Sequence, residues 1–396
     1  MIYDFDLLIV GGGLVGGSLA LALKDAPLRI GIIEAQTDEE RLASPAGDRA
    51  LALARGTAQI LDRLNLWREV ADAAMPIRHI HVSDRGGFGK TRIHAADRQV
   101  DALGHVLVAR HLEDVIERKL AAGSAELIRP ARIVGLQAGA EGICAALKRG
   151  DECLNLTARL LVAADGGNST VRNLLEIERQ VRDYGQTAIV TEVRTEKDTE
   201  YTAYERFTAS GPLALLPLGR KRCSVVWTLK HEDAAELLGE PEDAFARHLQ
   251  SAFGYWLGNI EPDAARQGFL LRLIRTEKMT DQRVVLIGNA MHQLHPVAGQ
   301  GFNLGLRDAA LLAEQLRTRL AFGEDIGAPE FLDRYAEIRR GDLDNVIRFT
   351  DGLVRLFSND FPPLVLVRNA AMVALDCLPP AKRLLARYAM GYGVRI

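Results

Sequence analysis

The sequence predicts an α/β chain (α+β when its second sheet is counted): a Rossmann-like parallel sheet, an antiparallel sheet, and helices at the C-terminal end. Three observations predict it. A buried strand, a glycine-rich turn, a helix and a second buried strand follow one another within about 30 residues, the opening unit of a doubly wound sheet. Residues 188–229 change texture, with Thr, Val, Tyr and Arg alternating between turn signals at Gly211-Pro212 and Gly219, as in antiparallel strands. Beyond Phe331 the chain reads as mostly helical.

The elements follow in order. Asp6–Val10 is a short apolar strand, Leu14–Lys24 an Ala/Leu-rich helix, and Leu28–Glu34 (LRIGIIE) a second apolar strand. Thr57–Ala73 carries apolar residues at helical spacing. Ile77–Ser83 alternates as a strand and is followed by a turn rich in glycine at Gly86, Gly87 and Gly89. Leu112–Ala122 reads as a helix, Ala125–Val134 and Gly142–Leu147 as strands, and Ala158–Ala164 as a buried strand ending in Asp165-Gly166. Pro241–Phe253 is a helix, Val284–Ile287 a buried strand, and Asn303–Leu320 a strongly apolar helix.

Length and composition narrow the function. The 396 residues suffice for two or three domains with a large core, and 48% hydrophobic with 26% charged residues is ordinary globular composition. Against 52 acidic residues stand 49 Lys+Arg, so nucleic acid is not the expected partner. Cys144, Cys153, Cys223 and Cys377 form no C-x-x-C pair and suit reduced, mostly buried thiols. The uncharged stretch Leu7–Leu23 is not read as a signal peptide or membrane span. Asp4 and Asp6 precede it where a signal peptide needs Lys or Arg, and five glycines interrupt it. The expected location is the cytoplasm.

Three clusters carry chemistry. In Gly11-x-Gly13-x-x-Gly16 the first glycine permits the tight turn, the second lets backbone approach a pyrophosphate, and the third lets the helix pack on the sheet. The helix N-terminus offers free N–H groups to phosphate. Glu34 ends the second strand 18 residues after Gly16, where an acid holds ribose hydroxyls. The motif indicates a dinucleotide without separating FAD from NAD. The second cluster is the strand end at Asp165-Gly166, which by itself is an ordinary Asp-Gly turn. The third is Gly288–Asp308, where a buried strand feeds a loop and then a long helix. Gly299 and Gly301 allow backbone to lie against a flat ring, and a helix N-terminus there suits the negative edge of a reduced flavin. His292 and His295 are three apart, but Pro296 argues against an unbroken helix and no further ligand has the right spacing, so they are expected to line the flavin site or hydrogen-bond the loop rather than hold metal.

Together these clusters resemble the FAD-dependent aromatic hydroxylases of the para-hydroxybenzoate hydroxylase fold, and within them the ubiquinone-biosynthesis hydroxylases. The resemblance runs through GGGLVGGSLA at the start, GDRALALARGT at Gly47–Thr57, LGHVLVAR at Leu103–Arg110, LVAADGGNSTVR at Leu161–Arg172, GPLALLPL at Gly211–Leu218 and GNAMHQLHPVAGQGFNLGLRD at Gly288–Asp308. It implies that Gly11, Gly13, Leu14, Val15 and Gly16 hold the FAD pyrophosphate and Glu34 the adenosine ribose. It implies that Arg49 and Arg110 lie near the flavin chain and that Asp165 serves FAD and the nicotinamide nucleotide. Pro296, Gly299, Gln300, Gly301, Phe302 and Asn303 would follow the isoalloxazine. Asn289 stands where most relatives have Asp, keeping an acceptor oxygen but no charge. That variant resembles the branch acting on 2-octaprenyl-6-methoxyphenol.

The implied activity is hydroxylation of the ring of a polyprenylated phenol in ubiquinone biosynthesis, through a C4a-hydroperoxyflavin. O2 and transient NAD(P)H are its co-substrates. The resemblance divides the chain into FAD-binding segments 1–75, 101–178 and 271–345, substrate-domain segments 76–100 and 179–270, and a C-terminal helical region 346–396. Tyr184, Leu216, Pro217, Trp227 and His295 are candidates for the substrate wall, with ordinary core packing as the competing reading; no catalytic base stands out. Residues 361–396 are basic and apolar, suited to peripheral contact with the inner face of a membrane, to a ubiquinone-biosynthesis complex, or simply to packing on the FAD domain. Two other activities stay open: a reductase or oxidase of the same fold acting on another lipophilic substrate, and a flavoprotein scaffold with little catalysis.

Overall fold

The computed structural model describes residues 2–295, 299–357 and 362–392. Phe5–Val10 lies in the middle of the parallel sheet because Leu7, Leu8 and Ile9 are covered on both faces. It pairs in parallel with Ile30–Ile33 on one side and with the end of Glu152–Ala163 on the other. Glu126–Ile128 and Val284–Leu286 continue the sheet outward in the same direction. Helices Leu14–Ala22, Ala109–Ala121 and Gln300–Ala321 pack together over one face, and their apolar sides form one core with it.

The second sheet is large. Its strands come from His79–Asp84, Lys90–His94, the stretch Arg179–Thr276 and the short His292–Gln293, mostly antiparallel. Thr202–Thr208 runs parallel to His79–Asp84, which stitches two distant parts of the chain into one sheet. One face buries Leu213, Leu215, Val225 and Trp227 under helices His231–Gly239 and Glu242–Phe253. The opposite face, through Ala203, Ala214, Leu216 and Val226, looks into a cavity. A small antiparallel sheet of Ala50–Ala54, Gly104–Val108 and Met75–Ile77 lies against strand Gly211–Gly219.

Several elements differ from expectation. The helix expected over Thr57–Ala73 breaks at Asn65, whose φ of +55° ends it, leaving Arg55–Arg63 and Trp67–Val70. The strand expected over Ala125–Val134 is interrupted at Pro130, which has no N–H to donate, and resumes at Arg132. Antiparallel pairing begins at Arg179, ahead of the expected residue 188. Helix Pro329–Phe357 runs unbroken through position 345. All four cysteines are free; Cys153 and Cys377 are exposed, whereas Cys223 is buried, and burial pushes its thiol up to about 12, leaving it protonated and unreactive.

The last helices are pinned to the second sheet by buried polar bonds. The Arg368 guanidinium donates to both oxygens of Asp84, at 2.8 and 3.0 Å. Asn369 accepts from the Gly89 N–H and donates to Asp84, while Thr91 Oγ1 donates to the Met372 carbonyl. The glycine-rich turn is required here: a Cβ at Gly87 would lie 2.3 Å from Asn369 Oδ1. Replacing Arg368 by Met leaves Asp84 buried without its cation. The loss expected on breaking such a pair is about 3–5 kcal/mol, read as a lower urea midpoint with an unchanged slope. A shift too small to measure would show that helix Pro362–Cys377 is not held by this pair.

Candidate active site

The turn after the first strand has the geometry its glycines were read for. Gly11 has φ +100°, and a Cβ there would sit 2.5 Å from the Ala164 carbonyl oxygen. A Cβ on Gly16 would meet the Gly11 oxygen at 2.0 Å, so helix Leu14–Ala22 can start this close to the turn only with glycine. Gly13 caps the helix without any side-chain bond, and no atom lies within 4 Å of where its Cβ would be. The helix N-terminus therefore opens onto free space with its amides uncommitted. Glu34 braces the turn: its Oε2 accepts from the Gly12 N–H at 2.8 Å and its Oε1 from the Gln36 N–H at 2.9 Å. Each oxygen keeps a second lone pair for a hydroxyl.

Asp165 caps the short helix Thr170–Leu174, its Oδ2 accepting from the Thr170 and Val171 amides. Its Oδ1 is shielded and has no partner among the described residues. Val15 packs between Gly288 and Gly305, so the first and third clusters meet directly. Asn289 is exposed on the turn Gly288–Ala290.

The third cluster is held from behind by an ionic hub. Asp308 is fully buried; its Oδ2 accepts from the Gly288 N–H at 3.0 Å and bonds His292 Nε2 at 2.9 Å, while Oδ1 accepts from Arg339 Nε at 2.7 Å. Burial alone would raise this carboxyl, but Arg339 and His292 outweigh it and hold it below the ordinary carboxylate range. His292 is thus a loop-bracing residue, one of the two roles expected for it.

At the head of helix Gln300–Ala321, Gly299 has φ +59° and lies against Ala52, and the helix has no side-chain cap. Gly301 opens onto free space, while Phe302 packs on the core. Asn303 makes four bonds: its oxygen accepts from the Ala54 N–H and Thr57 Oγ1, and its amide donates to the Ala52 and Gly299 carbonyls. Its side chain is therefore spent on clasping the loop to strand Ala50–Ala54. Arg110 is similarly engaged, with Asp48 at 2.9 Å and the Ser44 carbonyl at 2.9 Å, while Arg49 Nε donates to the Ala46 carbonyl. Pro296 lies outside the described residues.

Gly299, Gln300 and Asn303 form one end of an apolar cavity of about 310 Å³. Its walls are the inner face of the second sheet and Phe349, Leu353, Met372 and Leu385 from the C-terminal helices. Of the residues expected to form the substrate wall, Leu216 does so. Pro217 is next to it on the same strand and therefore points to the other face. Trp227 lies in the core beneath the sheet beside Phe245. Tyr184 meets His295 edge-on at 5.1 Å, outside the cavity walls, and burial pushes His295 down to about 4, so it is neutral at pH 7. Sequence reasoning missed Glu205, which lies on the cavity wall.

The comparisons with known proteins agree with this geometry. The family model described as an FAD binding domain matches residues 4–350. A ubiquinone hydroxylase, UbiL, of Rhodospirillum rubrum is 39% identical over 98% of this chain and 89% of its own. The 3-demethoxyubiquinol 3-hydroxylase of Escherichia coli is 30% identical over 98% of both chains. The chain belongs to the FAD-dependent ubiquinone hydroxylases. Among solved structures, a p-nitrophenol 4-monooxygenase from Pseudomonas putida superposes with a TM-score of 0.81 at 20% identity, covering 99% of both chains, which shows the shared fold.

FAD is the cofactor of this hydroxylase family, and the residues fit it. Two helix N-termini lack side-chain caps, and Gly13 at one and Gly301 in the first turn of the other open onto free space, where amides can meet a pyrophosphate and a ring edge. The orphan Asp165 oxygen is an unused acceptor, chemically suited to a hydroxyl donor such as the cofactor carries. In an Asp308→Ala variant, Arg339 loses one of its two buried carboxylate partners, keeping Asp342, and the Gly288 turn loses its acceptor. A loss of about 3–5 kcal/mol is expected, together with weaker FAD retention on gel filtration; a variant that keeps both would remove the hub from the site.

Proposed function

We propose that this hydroxylase adds oxygen to the ring of a polyprenylated phenol, with O2 and NAD(P)H as co-substrates. The observation that carries the reading is the cavity: it begins at the loop assigned to the flavin ring and continues, almost wholly apolar, between the sheet and the C-terminal helices. A phenol at the loop end would place its tail along Val82, Phe207, Leu353 and Met372. Bound FAD supplies reducing equivalents and oxygen activation. The chain's own residues do the remaining work. The Gly13 and Gly299 helix ends, Glu34 and Asp165 bind the cofactor; Asn303 and Asp308 fix the loop on which its ring rests. The apolar walls orient the substrate and keep water from the reacting atoms.

The C-terminal helices give a route for such a substrate. Their inner sides line the cavity through Met372, Leu375 and Leu385, while Leu366, Val367, Leu378 and Leu384 are exposed. Arg383 and Arg387 are exposed beside them. No helix of the described residues is long and apolar enough to cross a membrane. An apolar patch with basic residues suits shallow contact with an anionic bilayer, and free cysteines suit its cytoplasmic face.

The reaction is tested with 2-geranylphenol and labelled O2. One labelled oxygen atom should enter the product, with NAD(P)H consumed; a reductase or an oxidase would leave the product unlabelled. A Leu353→Trp variant should lose activity on a long-tailed phenol and keep it on a short-tailed one. Peripheral contact predicts flotation with phosphatidylglycerol vesicles, lost when Leu366 and Leu384 are both replaced by Glu. Wild type that stays at the bottom of the gradient would remove the membrane from the proposal.

A further inference from the structure

Glu205 stands apart from everything else on the cavity wall. It lies in strand Thr202–Thr208 and pairs laterally with Val82 and Ala214, which share its face. Ala203 and Phe207 flank it on that face, two residues away in each direction. Ala203 packs with Ala50 of the strand that carries the flavin-side loop, and Phe207 stacks on Phe357 at the helical end, ring centroids 3.7 Å apart. Glu205 is therefore about 7 Å along the strand from each neighbour, between the reacting end and the tail end.

No hydrogen bond or ion pair is made by its carboxyl among the described residues. Lys, Arg and His are absent from the described wall, and Glu205 is its only carboxyl group. The flanking strands of the same sheet present Ile80, Thr91, Ile93 and Val226, and Tyr204 precedes Glu205 on its own strand; the helices present Phe349, Leu353, Met372 and, as their only titratable group, Tyr388. The Asp84–Arg368 pair at the end of this face is joined to itself by two hydrogen bonds. Burial with no compensating charge pushes Glu205 up to about 7. A carboxyl kept in an apolar chamber without a partner is costly, and ligand pockets spend such groups on fixing the orientation of what they bind.

We propose that Glu205 is the polar anchor of the substrate, accepting a hydrogen bond from its ring hydroxyl and thereby choosing which ring carbon faces the flavin. The inference rests on the phenol reading above and adds a specificity-determining residue to it. An ionised carboxylate accepts a stronger bond than a protonated one, so binding tightens as pH rises through about 7. The sign for stability is opposite. A group raised in the folded state stabilises below its unfolded value and loses that contribution as pH rises through about 7. Without ligand, the wild-type melting temperature should fall across that window, and Glu205→Gln should flatten the fall.

The test compares 2-geranylphenol with its methyl ether on the FAD-loaded protein. Binding is read by quenching of flavin fluorescence and turnover by the ratio of hydroxylated isomers. Wild type should bind the phenol about tenfold more tightly than the ether above pH 7, as expected for loss of one charge-assisted hydrogen bond. Glu205→Leu should bind both equally and give mixed isomers. Glu205→Gln keeps an acceptor and should restore part of the preference without its pH dependence. Equal binding of phenol and ether by wild type, or a Leu variant with wild-type preference and isomer ratio, overturns the anchor. Binding is read whether or not product forms, so a failure to hydroxylate overturns the reaction and leaves the anchor to be judged by the binding data.

Discussion

A single buried carboxylate organises the flavin side of the molecule. Asp308 sits inside helix Gln300–Ala321 with no solvent contact, and it ties that helix to the Gly288 turn, to His292 and to Arg339 of the next helix. Its backbone carbonyl accepts from the Tyr335 hydroxyl as well. Arg339 in turn reaches Asp342, which also pairs with Arg307. A buried ion is tolerated when paired and hydrogen-bonded, and Asp308 has both a cation and backbone and side-chain donors, so the network resists small displacements. That resistance matters for the proposed function, in which the loop it supports presents backbone, not flexible side chains, to a rigid planar cofactor.

The cavity depends on the same framework from the other side. Asn303 fastens the loop to strand Ala50–Ala54, and that small sheet leans on strand Gly211–Gly219, whose alternate residues form the cavity wall. Cofactor loop and substrate wall are thus joined through one short sheet. Near attack in such a reaction needs ångström-level placement of ring against ring. The placement here comes from backbone contacts, which repack less readily than side chains.

The parts of this arrangement carried by local backbone geometry were legible in the sequence. Gly11, Gly13 and Gly16 act within one turn, and Glu34 follows at the end of the next strand, so spacing alone locates them. Asn303 was read as the start of the last apolar helix and lies in its first turn, but its side chain reaches residues about 250 positions earlier, and no local pattern contains that information. For Trp227 and Pro217 the sequence left wall and core packing both open, because the sheet is apolar on both faces, which hides the parity of its strands; Trp227 packs in the core. One signal was overlooked. Glu205 is in phase with Ala203 and Phe207, whereas the alternate positions hold Thr202, Tyr204 and Arg206. An acid in the apolar phase of a strand is a sign of a lined cavity.

The C-terminal helices show how one amphipathic element can serve two solvents. A helix with one apolar stripe packs on a core and turns a polar face to water. Helix Pro362–Cys377 is apolar on two sides: Met372 and Leu375 face the cavity, and Leu366 and Val367 are exposed. Between them Arg368 and Asn369 point inward and are consumed by Asp84 and the Gly89 turn. The polar bonds fix the helix in register, so its apolar inner side does not have to bury itself tightly to stay in place. A wall fixed by hydrogen bonds can border an open apolar chamber, whereas a wall fixed by packing alone would collapse into it.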